Sequence, residues 1–207
     1  GAKNRLREQD IKKIVDTWNA QKDVPHYARL VSWAEITDPK NDYNLNIPRY
    51  IASKDTEIQQ DIYSHLNGGI PKHDIEQLND VWQLCPDLKK SLLKEKSDGY
   101  YEIIPESEKI NEVIFENTSF KKQQEEFKAS IKEWEALEKE NMLSLCEKCN
   151  PKALILKWSQ ELLDTFKKKE GLVDSYEVYD QLMNYWAETM QDDCYLVSSD
   201  GWKVELV

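Results

Sequence analysis

Asn41-Asp42-Tyr43-Asn44-Leu45-Asn46-Ile47-Pro48-Arg49-Tyr50 is the least ordinary run in the chain. Polar residues alternate with Tyr43, Leu45 and Ile47, and this period of two predicts a strand with one buried face. Pro48 lacks a backbone donor and favours an extended Ile47, so sheet pairing is expected to stop there or to lie on an edge. Arg49 and Tyr50 follow, a planar cation and an aromatic with a polar tip. Two readings stay open on these residues alone: the end of a strand with its turn, or a surface that meets nucleic acid or protein.

Upstream, Arg7 to Trp18 predicts a helix. Ile11, Ile14, Val15 and Trp18 recur at steps of three and four and share a face, with Lys12, Lys13 and Asp16 opposite. Pro25 interrupts it. Tyr27, Leu30, Val31 and Trp33 then suggest a short strand, followed by a loop through Asp38-Pro39-Lys40.

Downstream the pattern is helical. Ile58, Ile62 and Leu66 predict a helix over 55–66 that Gly68-Gly69 closes. Asp74 is expected to cap the next helix, striped by Ile75, Leu78, Trp82 and Cys85 and broken by Pro86. A short helix with Leu88, Leu92 and Leu93 leads to a turn at Asp98-Gly99. Tyr100, Tyr101, Ile103 and Ile104 read as a strand or a linker, and 106–116 as a helix. The most regular segment is 118–140, capped by Asn117 or Thr118. Its residues Phe120, Gln124, Phe127, Ile131, Trp134, Glu138 and Asn141 fit heptad spacing, with three polar residues in the seam. A helical hairpin within the domain is preferred over a long coiled coil. Asn150-Pro151 opens a helix striped by Leu154, Ile155, Trp158, Leu162 and Phe166. Asp174 opens another, with Tyr179, Leu182, Met183, Trp186 and Met190 buried. Cys194 to Val197 and Trp202 to Leu206 are expected to form a terminal hairpin. The fold class expected is mainly α: a bundle-like helical domain with a few short strands at an N-terminal edge segment and in that hairpin.

Composition limits what the chain can do. The 207 residues include seven Trp, ten Tyr and four Phe, enough for a real core. No apolar run approaches the ~20 residues of a membrane span, and the four irregularly placed cysteines suit reduced thiols in a cytoplasmic protein. Cys146-Glu147-Lys148-Cys149 is a single C-x-x-C with no second pair to complete a zinc site. Asp192, Asp193 and Asp200 lack the basic cleft that a carboxylate–metal site needs, and a solvated turn is expected there. Of the net charge of −11, residues 1–60 hold ten Lys/Arg against nine Asp/Glu, and the remainder eighteen against thirty. Affinity for free DNA comes mostly from neutralised phosphates. Any DNA contact therefore belongs to the first third, where Arg5, Arg7, Asn44, Arg49, Tyr50 and Lys54 are the candidates. The acidic remainder is expected to meet protein.

The order of Leu6-Arg7-Glu8-Gln9-Asp10-Ile11, the run 41–50, Gly68-Gly69-Ile70-Pro71 and Asp74-Ile75-Glu76-Gln77-Leu78 resembles a known family. It is similar to the region after the catalytic core in the modification subunit of type I restriction–modification systems, an adenine-N6 DNA methyltransferase. Tyr185 to Asp193 with Gly201-Trp202 resembles the far C-terminal part of longer members. The resemblance implies S-adenosylmethionine as methyl donor, and DNA, a specificity subunit and a restriction subunit as partners. The family's Asn/Asp-Pro-Pro-Tyr/Phe motif is missing, since the chain has no Pro-Pro pair. Hence the expectation is a C-terminal piece without an active site. Residues 1–54 would be the tail of the methyltransferase domain, a strand edge without its sheet. Residues 55–207 would be a helical assembly domain, with Phe127, Ile131 and Trp134 as its contact with the specificity subunit. A direct DNA-backbone contact module, or a free-standing helical adaptor, is the alternative.

Overall fold

The structure is a computed structural model that describes residues 5–51, 61–97, 99–143, 145–146, 148–169 and 171–202. It divides into two units, residues 1–60 and 61–207. The boundary expected at 54/55 falls within residues 52–60, outside the described residues, as do 55–60 of the predicted helix.

The N-terminal unit holds helix α1 (Glu8–Ala20), the short helix α2 (Trp33–Ile36) and a 3-10 turn at Ile47–Arg49. The main chain of Arg7 donates to Asp10 Oδ2 at 3.0 Å, which satisfies one of the donors a helix start leaves open. The strand expected over 27–33 is absent; in its place a single bridge joins Val24 to Ala28, and Ser32 caps α2 by accepting from the Glu35 amide. The strand expected over 41–50 is absent too. Short polar side chains there bond their own backbone instead of leaving it for a ladder. Asp38 Oδ1 accepts from the Lys40 amide at 2.8 Å and Asn44 Oδ1 from the Asn46 amide at 2.8 Å. Asp42 and Tyr43 both take left-handed conformations, with φ of 48° and 57°, which no strand allows.

The second unit contains every fully buried hydrophobic side chain among the described residues. Its first part alternates short helices with a small sheet: α3 (Ile62–Asn67), β1 (Ile70–Pro71), α4 (Lys72–Glu76), α5 (Asn79–Leu84), α6 (Pro86–Leu92), β2 (Leu93–Ser97) and β3 (Tyr100–Ile103). The sheet order is β1-β3-β2, antiparallel throughout. Gly69, at φ 108°, enters β1 so closely that a Cβ there would meet the Tyr101 carbonyl at 3.4 Å. The helix predicted from Asp74 to Cys85 is two helices. It starts at Lys72 after Pro71, so Asp74 lies inside the first turn rather than capping it, and it breaks at Gln77-Leu78. The break is bridged by the Trp82 indole, which donates to the Ile75 carbonyl at 2.7 Å.

The second part of this unit is the core bundle. After α7 (Ile110–Glu116) come α8 (Thr118–Leu143), α9 (Pro151–Lys167), α10 (Ser175–Tyr185) and α11 (Gln191–Asp200), with a π-helical turn at Trp186–Met190 joining the last two. The predicted caps form: Asn117 accepts from Ser119 and Phe120, Asn150 from Ala153 and Asp174 from Tyr176. Ile155, Trp158, Leu162 and Phe166 of α9 form the centre of the core, against Trp134, Val178, Trp186, Cys194 and Val197. The Trp158 and Trp186 rings meet edge to face, 6.1 Å apart.

The predicted C-terminal hairpin is wrong where the structure describes it. Cys194 to Val197 lies in α11, and Asp192, Asp193 and Asp200 sit on that helix rather than in a turn. Cys194 and Val197, three apart, both reach the core, a gain that outweighs the β-preference of the run. The end of α11 is then tied to the loop before α9. Lys148 N donates to the Ser198 carbonyl, Ser198 Oγ to the Cys149 carbonyl, and Trp202 Nε1 to the Leu145 carbonyl.

Candidate nucleic-acid and partner interfaces

In the N-terminal unit the candidate residues bind one another. Arg49 Nε donates to Asn41 Oδ1 at 2.9 Å and its Nη2 to the Lys40 carbonyl at 2.7 Å. Asn41 passes the tie on by donating to the Glu35 carbonyl at 2.7 Å, and Glu35 receives both arms of Arg29 at 2.9 and 3.0 Å. Tyr50 donates its hydroxyl to the Asn44 carbonyl. The run 41–50 is thus a closed loop, held by the two residues that sequence reading assigned to an outside contact. Arg7 is also engaged, clamped in two-pronged fashion on Asp10 at 3.1 Å. The Asp10 carboxyl is held below the usual carboxylate range, chiefly by that side-chain bond. Arg5 is exposed. Lys54 lies outside the described residues.

What this unit offers outward is apolar. The predicted α1 stripe exists, but Ile11, Ile14, Val15 and Trp18 are all exposed, Trp18 to 77%. The polar face of the same helix is more covered: the Lys12 and Asp16 side chains, paired at 2.7 Å, are 21% and 22% exposed. Leu30, Trp33, Tyr43, Leu45 and Ile47 are exposed as well, with Trp33 and Tyr43 in edge contact at 6.2 Å.

In the second unit, α8 and α9 pack antiparallel along the heptad seam. Trp134 Nε1 donates to the Trp158 carbonyl at 3.2 Å, and Phe127 meets Phe166 at 5.3 Å. Trp134 is 8% exposed and belongs to the core, which corrects its assignment as an outward anchor: the stripe that identified it is filled by α9 from the same unit. Ile131 and Phe127 are half-buried against that core. Of the polar seam residues, Glu138 is buried and accepts from Asn141 Nδ2 at 2.9 Å.

Beyond Phe127 the seam opens into a cavity of about 690 Å³, lined on its apolar side by Phe120, Phe127, Phe166, Leu172 and Val173. At its edge Lys169 Nζ donates to Ser130 Oγ at 3.1 Å and to Glu133 at 2.6 Å. Sequence reading placed Phe120 in the heptad but missed Leu172 and Val173, whose signal is only two apolar residues after a helix end.

Among the described residues no three His, Cys, Asp or Glu side chains converge as metal ligands, and none of the helices is long and apolar enough to cross a membrane. The four cysteines are free thiols. Burial pushes the Cys194 thiol up, with the neighbouring Cys149 and Asp193 adding to it. The Gly68-Gly69 pair ends α3 and enters β1.

Residues 1–59 match the N-6 DNA methylase family. Over 80 residues the chain is 36% identical to a protein of Methanocaldococcus jannaschii named as the type I restriction enzyme MjaVII methylase subunit. That alignment covers 38% of this chain and 14% of the relative. No solved structure matches the chain. Of the stretches that carry the resemblance, 6–11 and 41–50 lie within the match to the N-6 DNA methylase family, and the type I modification subunit enters through the name of the archaeal relative.

Proposed function

We propose that this chain is the assembly portion of an adenine-N6 modification subunit in a cytoplasmic type I restriction–modification complex. Residues 61–207 hold the specificity subunit, and residues 1–60 close the methyltransferase domain of the same subunit, so that the complex shuts around DNA that other parts read. The reading rests above all on α1. The unit that matches the methylase family turns its apolar stripe outward and keeps its Lys12–Asp16 pair better covered. A helix that exposes its apolar face is half of an interface. Burying that stripe against a methyltransferase sheet would supply the missing half.

Methyl transfer from S-adenosylmethionine to adenine N6, with the base swung out of the duplex, is assigned to other parts of the complex, because the chain contains no Pro-Pro pair for the family's base-gripping motif. The restriction subunit joins through the same assembly. Direct DNA contact by the first unit is the lesser reading, since Arg7 is paired with Asp10 and Arg49 and Tyr50 bind the 40–44 loop of their own unit.

The test is co-expression of the 207-residue chain with the specificity subunit of its own system. A stable complex without methyl transfer by the chain alone is expected. Methylation of DNA by these residues on their own, or elution apart from the specificity subunit, would overturn the proposal.

A further inference from the structure

The loop between α8 and α9 carries the C-x-x-C pair, Cys146 and Cys149, and the fold closes it into a turn. Leu145 is buried in the core and Cys149 packs on the same core, while Cys146 between them is exposed. Cys149 N donates to the Cys146 carbonyl at 3.1 Å. A turn closed by that bond keeps its end Cα atoms under about 7 Å apart, and a disulfide spans about 4.4–6.8 Å. The turn is imposed from outside. Lys148 sits at φ 67°, a left-handed conformation that residues with a Cβ disfavour. Helix α11 holds it there: Lys148 N donates to the Ser198 carbonyl at 2.8 Å and Ser198 Oγ to the Cys149 carbonyl at 2.6 Å. Trp202 Nε1 fastens the same loop at the Leu145 carbonyl, at 2.6 Å.

We propose that Cys146 and Cys149 are a reversible thiol-oxidation site, closed to a disulfide by a peroxide and reopened by a dithiol reductant. The site belongs to this chain alone and does not depend on the assembly reading. Access sets the order of events, since Cys146 is exposed, Cys149 half-buried and Cys194 only 4% exposed. The Cys146 sulfur attacks a peroxide oxygen as thiolate. The O–O bond breaks, hydroxide leaves and takes up the thiol proton as water, and a sulfenic acid remains. The Cys149 sulfur then attacks the Cys146 sulfur. The S–S bond forms, the S–O bond breaks, and hydroxide leaves with the Cys149 proton as a second water. Two thiols and one hydrogen peroxide thus give a disulfide and two waters, and a dithiol reverses the step by two exchanges through a mixed disulfide. Cys194, one helical turn before Ser198 on α11, lies in the core that Cys149 packs against. Burial, with Cys149 and Asp193 adding to it, pushes its thiol up, which keeps it protonated and out of the exchange. Because α11 shapes the turn, the disulfide and the seating of α11 favour each other. Oxidation therefore fastens the loop on which Ser198 and Trp202 anchor the end of α11.

The experiment treats the full chain with hydrogen peroxide, then alkylates and digests it with trypsin, which cuts after Lys148 and separates the two cysteines. Mass spectrometry is expected to find Cys146 joined to Cys149, with Cys85 and Cys194 alkylated, and dithiothreitol to restore both thiols. Cys149→Ser should stop the reaction at a Cys146 sulfenic acid, trapped with dimedone. Equilibrium with glutathione, in buffer and in urea, separates a built site from the chemistry of any C-x-x-C peptide. The folded chain should favour the disulfide at least about tenfold over the unfolded one, and Ser198→Ala should reduce that preference about threefold. A Cys149–Cys194 link, a disulfide between two chains, or a Cys146 that peroxide leaves unmodified would overturn the proposal. So would equal preference in the folded and unfolded chains. Wild-type behaviour in Ser198→Ala would overturn the role given to α11.

Discussion

The two units handle apolar residues in opposite ways. Residues 61–207 turn their Trp and Leu stripes inward, with Trp158 only 1% exposed. The helices of residues 1–60 bury no side chain fully, although α1 has an equally regular stripe. Polar ties hold the N-terminal unit instead: the Arg29–Glu35 fork, the Asn41–Arg49 link and the Asp10 clamp. Surface ties of that kind contribute little each, whereas a buried Trp contributes several kcal/mol. The comparison shows that an amphipathic pattern dictates a helix but does not say which molecule covers it.

The largest effect separating the units is expected from tryptophan truncation. Trp158→Ala should destabilise the second unit by about 3–5 kcal/mol in denaturant titration, through the lost burial and the cavity left behind. Its Nε1–H has no acceptor among the described residues, which offsets part of that loss. Trp18→Ala should shift stability by no more than about 0.5 kcal/mol, as exposed positions do. Equal losses would erase the contrast. Hydrogen exchange reads the same difference without mutation. Amides of 27–50 should exchange faster than those of 151–190, and equal protection would mean that the N-terminal unit has a core the exposures do not show.

Much of the second unit was legible because its signals are redundant. Asn150-Pro151 and Asp174 announce helix starts, and α9 repeats an apolar residue at each turn; cap and stripe agree, and the structure follows. Where one signal stood alone it misled. The alternation of Tyr43, Leu45 and Ile47 has the period of a strand, but Asp38, Asn41 and Asn44 offer the backbone local partners that a ladder would have to outbid. Cys194 to Val197 has strand-forming residues, yet the π-helical turn carries the chain on as helix and lets Cys194 and Val197 reach the core. The candidate site divides the same way. Periodicity found the α8 seam but not which half α9 fills, because that depends on where α9 ends in space.

Smaller effects sharpen the contrast. Asn150→Ala removes the side chain that caps α9 and should cost about 1 kcal/mol of global stability. Arg49→Ala removes two hydrogen bonds from the 41–50 loop, a loss of about 1 kcal/mol each at most. That loss should stay local. Protease cleavage within 40–50 should accelerate while the main unfolding transition holds its midpoint. A shifted midpoint would mean that the loop is coupled to the core.

The smallest predicted effect is a pH dependence at Asp61, which caps α3. Its carboxylate accepts from the Ser64 amide at 2.9 Å and from the Tyr100 hydroxyl at 2.9 Å. These bonds, the Ser64 amide first, hold its pKa below the usual carboxylate value, while the Tyr100 hydroxyl is raised by the same contact. A carboxyl whose folded pKa is depressed adds stability above its unfolded pKa of about 3.9. It loses that stability as pH falls through the folded value. Wild type and Asp61→Asn should therefore differ most above about pH 5 and converge towards pH 2–3, read as the difference in their urea midpoints. Other lowered carboxylates, Glu102 with Lys94 and Glu133 with Lys169, titrate in the same window and cancel in that difference. A gap that stays constant from pH 7 to pH 2 would mean that the charge of the Asp61 carboxylate contributes nothing to stability.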